Sequence, residues 1–189
     1  MNGSLKRALG LWAASQVEGL HVYADDLANA KHRYPCCTVS ELTHGVGPLG
    51  CGKKDFTVRD SETGFVAISG KMHQAEENFR LTVSSPSEAQ RHGQEIVDGI
   101  LETLESAVLL TGLSSAPLVL VDSEATPPEP FKVEGFHAAG RQAIPPDATG
   151  EPFLYRGALT LRLTRNVPVE EPVEHVIERI HVNGEAHVG

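Results

Sequence analysis

The chain has 189 residues, 25 acidic against 16 basic side chains, and a formal net charge of -9. Proteins that bind nucleic acids do so mainly through clustered Lys and Arg, so this excess of acidic residues argues against a dedicated DNA- or RNA-binding protein. Hydrophobic residues make up 40% and charged residues 22% of the chain, which excludes gross disorder and indicates a globular protein. The length fits a single domain over residues 1–189.

Membrane and targeting signals are weak. No segment has the roughly 20 consecutive apolar residues that cross a membrane as a helix. Two basic residues precede a weakly apolar N-terminal segment, but Ser15, Gln16 and Glu18 interrupt it too early for a typical signal peptide. The 3 cysteines cannot all pair with one another, so we expect free thiols in a reducing cytosol.

The first predicted element is a helix over residues 5–17. Leu5, Leu9 and Trp12 fall on one side of it at helical spacing. A helical continuation is predicted over residues 23–30, beyond Gly19. Residues 43–54 are rich in glycine and are predicted to form a long loop.

Strands are predicted next, from the alternation of apolar and polar residues. Residues 56–59 and 65–68 flank a polar, glycine-containing segment that suits a hairpin loop. Phe79, Leu81 and Val83 then alternate with polar residues. They predict a strand that runs directly into a helix.

A central amphipathic helix is predicted over residues 86–107. Ser85 is the predicted N-cap, Pro86 the first helical residue, and Glu88 the capping-box partner that reaches back. Apolar or small residues then recur with a helical period: Ala89, Gly93, Ile96, Val97, Ile100, Leu101, Leu104 and Val108. Because the opposite face is polar, this helix should lie on a sheet or on another helix.

Residues 123–152 are predicted as a second, Gly- and Pro-rich loop insertion. A strand follows, since Leu159, Leu161 and Leu163 alternate with Thr and Arg. Residues 173–182 fit either a helix or a strand, and their β-branched residues favour a strand. The order predicts an α+β fold: a mostly antiparallel sheet with the N-terminal helix and the capped central helix packed on one face.

The best metal candidate is the set of Cys36, Cys37 and Cys51 with His32 and His44, because zinc prefers thiolate and imidazole ligands. Adjacent cysteines on a strand point to opposite faces, however, and structural zinc sites usually use Cys-x2-Cys pairs. The other interpretation is that one of the adjacent cysteines is a small buried hydrophobe while the other lies near the surface. We predict no metal or other cofactor, with a zinc module or a metal-dependent enzyme as the alternative.

Motifs for other chemistry are missing from the sequence. Residues 47–54 are Gly-rich and end in two lysines, but they lack the Ser or Thr of a phosphate-binding Walker loop. The 9 histidines are scattered, and neither a nucleophile elbow nor a dinucleotide fingerprint is present. We therefore expect a protein that acts by interaction or assembly, not an enzyme.

One arrangement of segments has a counterpart in a known family. The strand at residues 79–85 runs into a helix that carries Val97-Asp98-x-Ile100-x-x-x-Leu104, and residues 155–163 and 172–177 follow as closing strands. Over residues 56–182, this order resembles the tail-terminator and related tail-completion (neck) proteins of bacteriophages.

The resemblance implies an α+β subunit of the virion, assembled in the host cytoplasm. Such subunits close a ring, usually a hexamer, on the last ring of the tail tube and offer their other face to the head-side connector. DNA would then pass through the ring without being gripped, which suits an acidic protein. A head-closure or tail-tube protein of similar topology is the alternative within the same assembly.

Leu49 and Phe136 are the predicted partner contacts. Both are apolar residues in predicted loops, where such side chains often meet another protein. The alternative is that each packs onto its own domain.

Overall fold

The computed structural model describes residues 3–23, 32–53, 56–60, 64–68, 70–88, 91–114, 116–147 and 153–170. Side chains are described in these ranges except at residues 46–72 and 168–170. The chain divides into two units: unit 1 comprises Met1–Gly47 and Gln74–Val167, and unit 2 comprises Pro48–His73 and Pro168–Gly189. Neither described helix is long and apolar enough to span a membrane.

The elements of the described residues are, in chain order, α1 (Gly3–Gln16), β1 (His21–Tyr23), β2 (Cys36–Lys53), β3 (Phe56–Asp60), β4 (Gly64–Ile68), β5 (Gly70–Ser85), α2 (Gly93–Leu113), β6 (Leu118–Asp122), β7 (Glu129–Val133), β8 (Gly135–Asp147) and β9 (Leu154–Glu170). Five strands form one sheet in the order β1-β2-β5-β9-β8. The short β1 is parallel to β2, whereas β8 and β9 are antiparallel. The predicted α+β class with a mostly antiparallel sheet is confirmed.

The core of unit 1 lies on one face of this sheet. Alternate residues of the central strands point into it, including Phe79 and Leu81 of β5 and Leu161 and Leu163 of β9, all 0% exposed. Leucines of α1 and the apolar stripe of α2 cover them, together with Leu120 of the β6–β7 hairpin. The predicted strand alternation at residues 79–83 and 159–163 is therefore confirmed.

A glycine lets α2 lie close to β9. A Cβ added at Gly157 would lie 2.7 Å from Leu101 Cδ1 and 3.0 Å from Val97 Cγ1. Such distances are shorter than normal van der Waals contact, so a Cβ here would force the two side chains to shift. This contact sets how deeply the buried stripe of α2 packs on the sheet.

The first helix is confirmed, but the predicted start of the central helix is wrong. The Ser85 hydroxyl donates to the Pro86 carbonyl, at 3.0 Å, instead of capping a helix. α2 begins seven residues beyond Pro86, at Gly93, whose N–H donates to the Ser87 hydroxyl at 3.0 Å. His92 is the N-cap, and its Nδ1 accepts from the Gln94 N–H. The cap is therefore supplied by a histidine and a distant serine, which the capping-box pattern does not include.

Both predicted loops are largely strand. Strand β2 continues through the glycine-rich run to Lys53, and residues 123–152 contain β7 and β8. Pairing with a neighbouring strand supplies the backbone hydrogen bonds that the sequence pattern cannot reveal. Pro145 and Pro146 are tolerated because β8 is the edge strand of its sheet.

Unit 2 contains the predicted hairpin. β3 and β4 are antiparallel, with Phe56 opposite Ile68 and Asp60 opposite Gly64. This confirms the two strands predicted around residues 60–64. The predictions for residues 24–30 and 173–182 fall outside the described residues.

Candidate functional site

Cys36 and Cys37 open strand β2, and both are buried, with 1% and 0% of their surface exposed. The prediction that one of them lies near the surface is wrong, because both faces of the sheet are covered at this point of β2. Burial, aided by the neighbouring Cys36, raises the pKa of the Cys37 thiol to about 12. A thiol that stays protonated is a poor zinc ligand. The side chain of Cys51 lies outside the described residues.

The two histidines of the candidate metal set contact other groups. His32 stacks on the ring of Tyr23, with ring centroids 4.3 Å apart. His44 places its Nδ1 at 3.2 Å from Oε1 of Glu77. Within the part of the chain that the structure describes, no three His, Cys, Asp or Glu side chains are grouped to hold a metal ion.

A buried ion pair replaces apolar packing at one end of the core. Glu77 is 0% exposed and accepts two hydrogen bonds from the guanidinium of Arg165, at 2.7 and 2.9 Å. The same guanidinium lies over the ring of Phe131, 5.5 Å from its centroid. A buried charge is tolerated only when it is paired and hydrogen-bonded. Since the three residues belong to β5, β9 and β7, their contacts hold these strands together.

A second ionic contact joins the start of α1 to the end of β6. Asp122 is 0% exposed and accepts from Ser4 Oγ at 2.6 Å and from Arg7 Nη2 at 2.7 Å. These bonds, with one from the Glu124 N–H, hold the pKa of Asp122 below its usual range. The contact is structural, since both ends of it belong to packed elements.

The last turns of α2 carry three exposed leucines, here called the leucine stripe: Leu109, Leu110 and Leu113. They are 62%, 69% and 84% exposed. The buried side of the same helix is already complete without them, through residues such as Leu104 and Val108. An open groove of about 690 Å³ lies beside Leu110 and is bordered by Glu102 of α2 and Gln16 of α1.

The β6–β7 hairpin has a second exposed apolar surface, here called the hairpin face: Val119, Val121, Pro130 and Lys132. Val119 lies opposite Lys132 and Val121 opposite Pro130 in the antiparallel register. The two valines are 50% and 41% exposed. Alternate residues point the other way, where Leu120 is buried. The hairpin therefore has an inner face on the core and an outer face available to a partner.

β8 is an edge strand with features that discourage unwanted pairing. Its register with β9 shifts between Ala138 and Gly140 and again between Ile144 and Asp147. Gly140 has φ +143°, which favours glycine at the first irregularity. Within the described ranges, no further strand pairs with β8 on its outer side. Such bulges are typical of edges that must avoid indiscriminate association.

The two predicted contact residues have different surroundings. Phe136 lies in β8 and not in a loop, is 4% exposed, and meets Trp12 edge-on with ring centroids 4.9 Å apart. Its ring thus belongs to the core, and its residue borders a cavity of about 380 Å³ at the end of α2. Leu49 lies in β2, and its side chain is outside the described residues. A partner role for either residue stays a prediction.

The leucine stripe was missed by the sequence reasoning, although a signal for it exists. Leu109 and Leu113 follow Glu102 and Ser106 at helical spacing on the face that is otherwise polar. Apolar residues at those positions break the amphipathic pattern. The break indicates an exposed apolar surface, of the kind that often meets another protein.

No family model matches the chain, and no curated protein matches it. Among solved structures, the chain is similar to one from the cryo-EM structure of an extracellular contractile injection system, the PVC sheath-tube complex in its extended state. That match has 13% sequence identity and a TM-score of 0.23, and it covers 77% of this chain and 96% of the other. At this TM-score the likeness defines neither the fold nor the function.

Proposed function

We propose that the chain is a structural, non-enzymatic subunit of a phage-type tail. In this proposal its copies close as a ring, with six subunits as the expected number, on the head-proximal end of the tail tube. The other side of the ring meets the neck or connector proteins. The tail role and the ring follow from the sequence resemblance to tail-terminator and tail-completion proteins.

The observation that carries an assembly role is the leucine stripe. Leu109, Leu110 and Leu113 are 62%, 69% and 84% exposed at the end of one helix. Scattered exposed apolar residues are ordinary, but a group of them on one surface marks a contact with another protein. An assembly subunit uses such a surface in every copy.

The charge of the protein supports passage of DNA without binding. The formal net charge is -9, and α2 carries Glu95, Asp98, Glu102 and Glu105 but no Lys or Arg. Acidic surfaces repel the phosphate backbone, so DNA would slide past them. Binding energy in the assembly must then come from contacts between proteins.

The proposal is tested with purified protein and purified tail tubes of the parent phage. Native mass spectrometry of the protein alone should give a closed ring, and electron microscopy should show that ring at one end of each tube. A species that stays monomeric and never binds tube ends would contradict the proposal. Polymerisation of the protein alone into tubes would instead identify a tube protein, and binding only to connectors a head-closure protein.

A further inference from the structure

We propose that the leucine stripe of one copy docks on the hairpin face of the next copy. This inference rests on the proposed self-assembly and names the two surfaces that carry it. The occupant of each surface is therefore a second copy of this chain. The contact is heterologous, because it joins two different surfaces.

The leucine stripe lies in negative surroundings. Glu102 is exposed and precedes Ser106, Leu109 and Leu113 at the three- and four-residue spacing that places them along one side of the helix. α2 has no Lys or Arg, so Glu102 sets the charge beside Leu109 and Leu110, whereas the C-terminal end of α2 borders a cavity with Lys132 of the same copy. A partner surface should therefore be apolar and carry a cation.

The hairpin face has that composition. Val119, Val121 and Pro130 supply apolar area, and the side chain of Lys132 is 63% exposed beside them. Lys132 lies 3.0 Å from Glu134, but an ion pair this open to water contributes little and can be exchanged for another carboxylate. Lys132 is the charged strand residue on this outer face of β6 and β7.

Charge also decides between the possible pairings of copies. Two leucine stripes facing each other would join two acidic surfaces, and two hairpin faces would join two surfaces that each carry Lys132. A stripe on a hairpin face instead brings Glu102 towards Lys132. Like charges at a contact suppress that pairing, so the heterologous contact is favoured. A heterologous contact repeated from copy to copy closes into a ring or extends as a filament.

The first test uses two variants that keep the fold. Leu113→Lys removes apolar area from the leucine stripe, and it places a cation at a helix C-terminus, which suits the helix dipole. Val119→Asp faces Lys132 within its own hairpin, which is a favourable cross-strand pair, and it opposes Glu102 of the next copy. Circular dichroism checks both folds. Each variant alone should raise the concentration for half-assembly, measured by sedimentation velocity, about tenfold or more.

Mixing the two variants separates this proposal from a symmetric contact. The Leu113→Lys copy retains an intact hairpin face, and the Val119→Asp copy retains an intact stripe. An equimolar mixture should therefore form 1:1 heterodimers that stop growing, at concentrations where each variant alone is monomeric. If the mixture stays monomeric at the concentrations where the unmodified protein assembles, the heterologous contact is overturned.

A charge exchange tests the pairing of Glu102 with Lys132. Glu102→Lys and Lys132→Glu should each weaken assembly, and the double variant should recover most of it because the opposite charges meet again. Leu42→Lys is the matched control, since Leu42 is 41% exposed but belongs to neither surface. It should leave assembly unchanged. Failure of the double variant to recover would overturn this pairing.

The outcomes also separate this inference from the proposed function. If the unmodified protein forms rings on tube ends and neither Leu113→Lys nor Val119→Asp weakens them, the inference is overturned while the proposed function stands. If the unmodified protein is monomeric at every concentration and ignores tube ends, both are overturned. Weakening by both variants with rescue on mixing supports both.

Discussion

Arg165 of β9 donates two hydrogen bonds to the buried carboxylate of Glu77 on β5, although the two residues are 88 positions apart in the chain. Apolar side chains fill this face of the sheet elsewhere, through Phe79 and Leu163 among others. The pair therefore replaces hydrophobic packing with a contact whose geometry must be satisfied. A buried pair of this kind holds strands in one register more than it adds net stability.

Removing one member of this pair should be strongly destabilising. Glu77→Leu leaves the guanidinium of Arg165 only 15% exposed and without the carboxylate. We expect a loss of about 3–5 kcal/mol in the free energy of unfolding, measured by urea denaturation. The double variant Glu77→Leu with Arg165→Leu should lose much less, because an apolar pair removes both charges.

Glu76 provides the matched control for that experiment. Its pair with Arg162, at 3.3 Å, is about half exposed on both sides, at 51% and 52%. Glu76→Leu should change the free energy of unfolding by no more than about 1 kcal/mol. If Glu76→Leu and Glu77→Leu lowered the free energy of unfolding equally, burial of the Glu77 pair would not explain the effect of its removal.

The Asp122 contact should make stability depend on pH in the acid range. Its hydrogen bonds from Arg7 and Ser4 hold the pKa of Asp122 below the ordinary value of 3.8. The stabilisation is therefore complete above the unfolded pKa and is lost as the pH falls through the lower folded pKa. Asp122→Asn should be less stable at pH 7 and should lose less further stability on acidification, as measured by urea denaturation at each pH.

Asp98→Asn is the control for this pH series. Asp98 is an exposed carboxylate of α2 that accepts one hydrogen bond from Gln94, at 3.0 Å. Its substitution should keep the acid loss seen in the unmodified protein. An Asp122→Asn protein with the same acid loss as the unmodified protein would refute the role of Asp122.

Two glycines of α2 should respond to alanine with opposite signs. A Cβ at Gly93 would collide with Tyr155 and lie 2.9 Å from the backbone carbon of Pro86, whereas the nearest atom at Gly99 is Arg91 Nη2, 3.9 Å away. Gly99→Ala should stabilise the protein by about 0.5–1 kcal/mol through helix propensity. Gly93→Ala should lower the melting temperature, because the rigid backbone at Pro86 cannot give way. Stabilisation by both substitutions would contradict the packing of the α2 start.

The Cys37 thiol should be unreactive in the folded protein. In a variant with Cys36→Ala and Cys51→Ala, Cys37 is the remaining thiol. Burial, the main cause of the raised pKa of Cys37, is retained in this variant and keeps the thiol protonated at pH 9, where an ordinary thiol with a pKa of about 8.5 is largely ionised. Labelling with a disulfide reagent at pH 9 should be far slower in the native than in the urea-unfolded variant. Similar rates in both states would contradict the burial of Cys37.

Local patterns predicted those elements whose periodicity is complete in one segment. The alternation at Phe79, Leu81 and Val83 and the helix with Leu5 and Leu9 have their apolar residues in the core. The pairing of strands that are distant in the sequence was not predicted. No residue near the glycine-rich run indicates that β2 continues beside β5. The same holds for β8, whose prolines indicate a loop until its position at the edge of the sheet is known.

The candidate site was less predictable than the fold. Phe136 was chosen for its predicted loop context, but the structure places it at the start of β8 against Trp12. The exposure of Leu113 depends on where α2 ends and on which side of it the sheet lies. A helical pattern read without its boundaries cannot separate the last buried turn, at Val108, from the exposed leucines that follow it.

The bond between Arg7 and Asp122 spans 115 residues of sequence. During synthesis, α1 leaves the ribosome long before β6 exists, so its N-terminal turn must wait for the residues up to Asp122 to be made. Contacts of such long sequence separation slow folding and leave apolar surface uncovered in the meantime. Helix α1 is thus completed only when β6 has been made, which ties its folding to synthesis of the chain beyond Asp122.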